Sequence, residues 1–370
     1  MLPPKNPFLT NGYCNQEYFC GREHEMATLR AAIENGRNVT LIAPRRYGKT
    51  GLIRNFFQTL PGYTCIYLDM FPIQDLASFT SQLASTVVSA LDSRIERLGS
   101  LVKRFFLSSR PTLEANPDGG VKLSLNIASE TAPTSLEEVF RYLASKKKNI
   151  VIALDEFQQI AVFPEKNVEA LLRSHIQNTP GIRFIFSGSR LHIMNEMFTS
   201  AARPFFQSTQ IMDIGPIAED EYHEFAEGFF RKRNLTLAKE CFTYLYQSFD
   251  GVTWYIQAVL NRLWEKEASV TDTTQIDEAV NELVLEREYI YADLLKSQNR
   301  TAAKLLLAIA QEKLVKSPTG SEFIVKHKLN APSSIATALK ALLDNELLYK
   351  DTQGIRVYDY LFSCWLRRLA

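Results

Sequence analysis

The chain has 370 residues, 46% of them hydrophobic and 22% charged, with a net charge of +1, which is the make-up of an ordinary globular protein of two or three domains. That balance gives no whole-molecule case for nucleic acid, and Cys14, Cys20, Cys65, Cys241 and Cys364 show no C-x-x-C spacing, which argues against a disulfide framework or a zinc site. No stretch approaches the ~20 apolar residues of a membrane span, and Met1 to Lys5 lacks the apolar run of a signal peptide, so a reducing cytoplasm and no membrane partner are expected.

Residues 1–20, rich in Pro, Asn and aromatics, are expected to lie over the first domain. Met26, Leu29 and Ile33 then recur at helical spacing, with Glu23 and Glu25 in the first turn, where the helix dipole favours them. Two roles are open to Arg22 at this entry: a surface residue, or a group that approaches a nucleotide. Val39 to Ile42 reads as a buried strand, and Leu52, Ile53, Phe56, Phe57 and Leu60 form a helical pattern after it. Between them lies a tight segment ending in Gly48, Lys49 and Thr50. Strand, loop and helix in that order are the context that a phosphate-binding loop requires. Its backbone N–H groups and the positive helix end converge on an anion. Lys49 would neutralise β- and γ-phosphates, and the Thr50 hydroxyl would hold Mg²⁺. Gly48 lets the chain approach phosphate without a Cβ. Ala43 stands where the usual pattern has its first glycine, which requires a negative φ there.

Cys65 to Met70 is a second strand, followed by a helix through Phe79, Leu83, Val87 and Leu91. An insertion at about 107–135 reads as a β-hairpin, from the turn signal Asn116 to Gly120 and the alternation of Val121 to Ile127. Leu136 to Leu143 is helical, and Lys146 to Lys148 end that stretch. Ile150 to Leu154 then reads as a strand buried on both faces of a parallel sheet. Asp155 and Glu156 stand at its C-terminal end, the edge where ligands bind in open α/β sheets. Asp155 fits a Mg²⁺ role, and Glu156 fits orienting the water that attacks the γ-phosphate. Helical Val168 to Ile176 leads to a fourth strand, Ile182 to Ser187. Ser187 and Ser189 either close that strand or act as sensors of the γ-phosphate. The alternation argues for an α/β fold with a parallel sheet.

From Pro216 onward, Asp220 to Lys232, Lys239 to Phe249, Trp254 to Lys266 and Ile276 to Leu295 are helical and read as a lid. Three further helices (Arg300 to Gln311, Gly320 to His327, Pro332 to Leu343) precede two short strands, Leu347 to Lys350 and Ile355 to Tyr358, the order of a winged helix-turn-helix. The expected domains are thus 1–215, 216–295 and 296–370. From Lys296 onward there are 12 Lys/Arg against 6 Asp/Glu, a net +6, which suggests an acidic partner. Ser333, Ser334 and Thr337 on the presumed recognition helix and Lys350 and Arg356 on the wing are candidate DNA contacts. The helix offers no Arg, Asn or Gln for base edges, so a protein-docking or self-packing winged helix stays open beside DNA.

Phe19-x-Gly-Arg-Glu23, Ala43-Pro-Arg-Arg-Tyr-Gly-Lys-Thr50, Ile152-Ala-Leu-Asp-Glu156 and Ser187-Gly-Ser189 occur in the order seen in the archaeal-type ATPase family, which the chain resembles over roughly residues 15–270. That family is a branch of the P-loop NTPases close to AAA+ proteins and STAND signalling ATPases, with a winged helix as a common companion. The resemblance implies an AAA+-like core and an ATP-dependent conformational switch. In it, Pro44, Arg45, Arg46, Tyr47, Gly48, Lys49, Thr50 and Gly51 bind nucleotide, and Asp155 and Glu156 serve Mg²⁺ and hydrolysis. Two departures stand out. Ser208 occupies the place of the family's arginine in an aromatic-Gly-Arg segment, leaving Arg203 as a substitute and implying slow turnover. Gly251-Val-Thr-Trp254 resembles the STAND Gly-x-Pro element but has Thr253 for proline. Three functions follow: a slow ATPase switch; a DNA-binding protein like archaeal replication initiators, in which the nucleotide is mainly structural; or a STAND-like scaffold that forms homo-oligomers with ATP.

Overall fold

Apolar runs that alternate between two cores build the central sheet. The computed structural model describes residues 4–91, 110–115, 121–146 and 148–369, and the chain divides into one unit of Asn11–Ala218 and another of Met1–Thr10 with Glu219–Ala370. In the first unit, strands β1 (Val39–Ile42), β2 (Thr64–Asp69), β5 (Ile150–Asp155), β6 (Ile182–Gly188) and β7 (Gln210–Asp213) form a parallel sheet in the order β2-β5-β6-β1-β7. Ile150, Ile152 and Leu154 of β5 enter one core, with Phe79, Leu83 and Val87 of α3 (Leu76–Leu91) and with Leu136 and Val139 of α4 (Ala132–Ser145). Val151 and Ala153 point the other way, among Leu29 and Ile33 of α1 (Glu23–Glu34) and Leu52, Ile53 and Phe56 of α2 (Lys49–Thr59). This is the two-residue period of a strand covered on both faces.

The fifth strand, β7, is a finding that sequence analysis did not anticipate. It is four residues long, lies at the sheet edge and pairs only with β1, Leu41 opposite Met212. The insertion contains the expected hairpin, with β3 (Arg110–Ala115) antiparallel to β4 (Val121–Asn126). Its expected turn, residues 116–120, lies outside the described residues. Helix α4 starts four residues before the expected Leu136, with a proline in its first turn, where a missing N–H costs nothing. The remaining helices of this unit are α5 (Val168–Gln177) and α6 (Leu191–Thr199).

The second unit begins with residues 1–10, which corrects the expectation that all of residues 1–20 lie over the first domain; residues 11–20 do belong to the sheet unit, where Tyr13 donates to Asn55 and Phe19 packs against the core. Phe8 is fully buried, with ring centroids 5.9 Å from Phe229, 5.9 Å from Phe230 and 5.8 Å from Trp264. The amide of Asn6 donates to the carbonyl of Asn261 (2.9 Å), and that of Asn261 donates to the carbonyl of Phe8 (2.7 Å). Helices α7 (Glu219–Lys232), α8 (Lys239–Ser248) and α9 (Thr253–Glu265) appear as expected. The single helix expected over Ile276 to Leu295 is two: α10 (Thr273–Leu285), started by a capping box of Asp272 and Gln275, and α11 (Glu288–Lys296).

The last part is α12 (Arg300–Glu312), α13 (Ser321–Lys326), α14 (Pro332–Asp344), β8 (Leu348–Lys350), β9 (Ile355–Val357) and a closing helix α15 (Tyr360–Arg368). The wing pairs Tyr349 with Arg356. Among the described residues, no helix is long and apolar enough to cross a membrane.

Candidate nucleotide site

The loop between β1 and α2 turns through two left-handed residues, Arg46 (φ 73°) and Gly48 (φ 85°). Glycine takes the second conformation without a Cβ penalty. Ala43 is not among the left-handed residues, so the condition on its φ is met. Lys49 begins α2 and is 5% exposed, and its Nζ donates to the carbonyls of Ala43 (2.8 Å) and Pro44 (2.9 Å). Burial pushes the amine down to about 8; Glu156 and Asp155 pull the other way, and Arg45 adds to the fall. A buried ammonium whose hydrogen-bond partners are neutral carbonyls is a receptor for an anion.

At the end of β5, Asp155 is 2% exposed. Its Oδ2 accepts from the Thr50 hydroxyl (2.6 Å) and the Tyr67 phenol (2.7 Å), and its Oδ1 accepts from the Glu156 N–H (3.1 Å). Sheet register produces this meeting, because β2 lies beside β5 with Asp69 opposite Asp155. Burial, together with the Asp155 charge, raises the Tyr67 phenol well above its ordinary value, so it is a neutral donor. The Arg54 guanidinium covers its ring at 3.6 Å. A carboxylate and a hydroxyl 2.6 Å apart are hard oxygen donors that suit Mg²⁺.

Glu156 follows in a left-handed conformation (φ 54°). Its Oε2 accepts from the Ser189 hydroxyl (2.7 Å) and from the Gln158 side-chain amide. Strand β6, placed between β1 and β5, carries Ser187 to this edge, and Ser189 follows its last residue. Ser187 is fully buried opposite Leu41, and its Oγ has no hydrogen-bond partner.

The other candidate residues divide. Arg22 is 6% exposed and therefore not a surface residue; it donates to the Tyr47 carbonyl (3.2 Å) and to Glu25 (2.6 Å), and so supports the loop from behind. Pro44, Arg45, Arg46 and Tyr47 are half-buried along the loop, and Gly51 lies in the first turn of α2. Arg203 is paired with Glu169 and, at 3.4 Å, with Glu196, so its charge is already answered within the unit. Ser208 donates to the Phe205 carbonyl (2.7 Å). In the winged helix, Ser333, Ser334, Thr337 and Lys350 are exposed. Arg356 is not a free wing cation: its side chain is 13% exposed and bridges Asp250 (2.6 Å) and Asp351 (3.1 Å).

Two site residues escaped sequence analysis. Tyr67 could have been suspected from its place two residues before the acidic end of a strand, on the face shared with Asp69. Gln158 is one of two neighbouring glutamines in the turn after β5, and its place against Ser189 depends on the fold alone.

A parallel sheet in which one strand separates the phosphate-loop strand from the acidic strand, with Lys49, Thr50, Asp155 and Glu156 at one edge, defines a P-loop ATPase fold. The chain belongs to the family described as the ATPase domain predominantly from Archaea, whose model matches residues 19–259. A second family model, described as a probable winged helix domain, matches residues 289–368. Among solved structures, the Walker-type ATPase PABY2304 of Pyrococcus abyssi is similar, with a TM-score of 0.66 and 18% identity over 98% of this chain and 99% of that one. The ORC2 protein of Aeropyrum pernix, in ADPNP–ADP complexes, has a TM-score of 0.60 and 14% identity over 94% of this chain and 92% of its own. The ORC1 protein of Aeropyrum pernix in complex with DNA has a TM-score of 0.51 and 13% identity over the same shares, 94% and 92%. At these identities the likeness is one of fold. No curated protein sequence matches the chain.

Proposed function

We propose that the chain binds ATP with Mg²⁺, hydrolyses it slowly, and uses the nucleotide state as a conformational switch. The observation that carries this is the convergence of Lys49, the Thr50–Asp155 pair and Glu156 at one strand edge. The phosphates lie against the loop N–H groups at the positive end of α2. Lys49 exchanges the Ala43 and Pro44 carbonyls for phosphate oxygens. Thr50 and Asp155 hold Mg²⁺, which when bound neutralises charge on the β- and γ-phosphates. Glu156 orients the attacking water.

Slow turnover is supported by two positions: Arg203 is committed to Glu169 and Glu196, and Ser208 stands where the family has an arginine. A transition-state arginine is worth about 10³–10⁵ in rate, so a partner that supplies one would accelerate the reaction. The test is steady-state ATP turnover with Mg²⁺, wild type beside Glu156→Gln. The variant is expected to keep ATP and to lose about 10²–10⁴ in kcat; equal rates would remove Glu156 from the mechanism.

A second reading, duplex DNA as the partner of the winged helix, is favoured by the net +6 after Lys296 and by the exposed Ser333, Ser334, Thr337 and Lys350. The neutralised Arg356 counts against it. Binding that weakens steeply with added salt would support it.

A further inference from the structure

We propose that Gln158 is a positioning residue for the Glu156 carboxylate, holding it by one oxygen so that the other is presented to the attacking water. The inference rests on the role given to Glu156 above and deepens it. The orientation of the Gln158 amide is set by the backbone. The Ser189 N–H can only donate, and it meets Gln158 Oε1 at 3.3 Å. Nε2 is thereby turned to Glu156 Oε2. The Ser189 hydroxyl donates to the same Oε2 at 2.7 Å. Both donors fall on one carboxylate oxygen, so Oε1 keeps the lone pairs that a water needs.

The clamp is dry and crowded. Gln158 and Ser189 are each 6% exposed, so neither loses its partner to bulk water. Gly188 is what leaves room for it: a Cβ there would come within 2.5 Å of Gln158 Oε1 and 2.4 Å of Met194 Sδ. Phe157, between the two clamped residues, is fixed in the core by Phe186 (centroids 4.6 Å apart) and Phe205 (5.4 Å apart). It anchors the 3₁₀ turn Phe157–Val162 that carries Gln158. Among the described residues, the side-chain hydrogen bonds of Gln158 go to Glu156 and Ser189 alone. Its oxygen thus serves the backbone of Ser189 and its amide nitrogen serves the carboxylate.

Gln158→Met keeps the length of the side chain and removes the donor. The variant is compared with wild type, Glu156→Gln and the double variant, reading kcat, ATP affinity, thermal midpoint and retention of Mg·ADP with aluminium fluoride, a complex that includes a positioned water. Gln158→Met is expected to lower kcat and aluminium fluoride retention together, roughly 10- to 100-fold, with ATP affinity unchanged and a lower midpoint, because the buried Ser189 N–H loses its acceptor. In the Glu156→Gln background it should change neither further, because the group that it positions is gone. Ser189→Ala removes the other donor and is expected to show the same split between kcat and affinity, which covers a Gln158 variant that does not fold. Wild-type kcat and retention in both Gln158→Met and Ser189→Ala, beside an inactive Glu156→Gln, would overturn the positioning role and leave the Glu156 reading standing. A Glu156→Gln variant as active as wild type, or a wild type that neither turns over nor retains the complex, would overturn that reading and this inference with it.

Discussion

The loop after β1 and the wing of the winged helix both offer positive charge, and they differ in what that charge already meets. Lys49 is buried against two neutral carbonyls, and the Ser187 hydroxyl in the neighbouring strand is fully buried with no partner. Arg356 is half-buried and meets two carboxylates and the Tyr360 hydroxyl (3.3 Å). Desolvation penalises both cations. Asp155 and Glu156 offset part of that penalty for Lys49 without a direct hydrogen bond, and under the proposed function a bound phosphate would relieve the rest. A cation left among neutral acceptors is a place for a ligand, whereas a cation with its own anions is part of the fold.

Substitution at Lys49 is the strongest way to break this contrast. Lys49→Ala is expected to weaken ATP binding by about 100-fold or more, read by calorimetry; unchanged affinity would show that the loop binds no phosphate. Next comes Tyr67→Phe, which removes one of the two hydroxyl donors on Asp155 Oδ2. It should raise the Mg²⁺ concentration needed for tight ATP binding about tenfold, measured by titrating Mg²⁺ at fixed nucleotide.

The pH dependence sharpens the same point. Burial pushes the Lys49 amine down to about 8, and the proposed phosphate contact requires its charged form. Affinity for ATP should therefore hold below pH 8 and fall as pH rises through it, by up to about tenfold per unit. The smallest effects belong to the wing. Arg356→Ala removes the cation between Asp250 and Asp351, which keep their hydrogen bonds from Tyr360, Gln353 and Gly354, and should cost about 1 kcal/mol of stability in denaturant titrations. Lys350→Ala, exposed on the same wing, should stay within about 0.5 kcal/mol. The reverse order would mean that Arg356 is the wing's free cation.

Much of the site was legible because its local chemistry is written in consecutive residues. A strand buried on both faces must be apolar throughout, so Val39 to Ile42 and Ile150 to Leu154 stood out, and the polar residues that end them marked the edge. What could not be read locally was whatever depends on neighbours in the sheet. Tyr67 reaches Asp155 only because β2 lies beside β5 in that register, and Gln158 reaches Ser189 only because β6 follows on the other side. The edge strand β7, with Gln210 and Asp213 in four residues, carries no apolar run to signal it. The break between α10 and α11 hides inside a continuous helical period, since Glu286 keeps helical dihedrals and the backbone departs at Arg287. Arg203 looked available because nothing near it in sequence reveals that Glu169 faces it.

The docking of Asn6 and Phe8 into the helical unit bears on the order of synthesis. Asn6 and its acceptor Asn261 are 255 residues apart, and residues 11–218 between them make up the whole sheet unit. At about 5–20 residues per second on the ribosome, the leading segment waits on the order of 10–50 s with Phe8 unsheltered while a complete neighbouring unit is made. A segment made before the sheet unit therefore finds its place only after that unit is complete, and that interval is when a chaperone or a wrong partner has access to it.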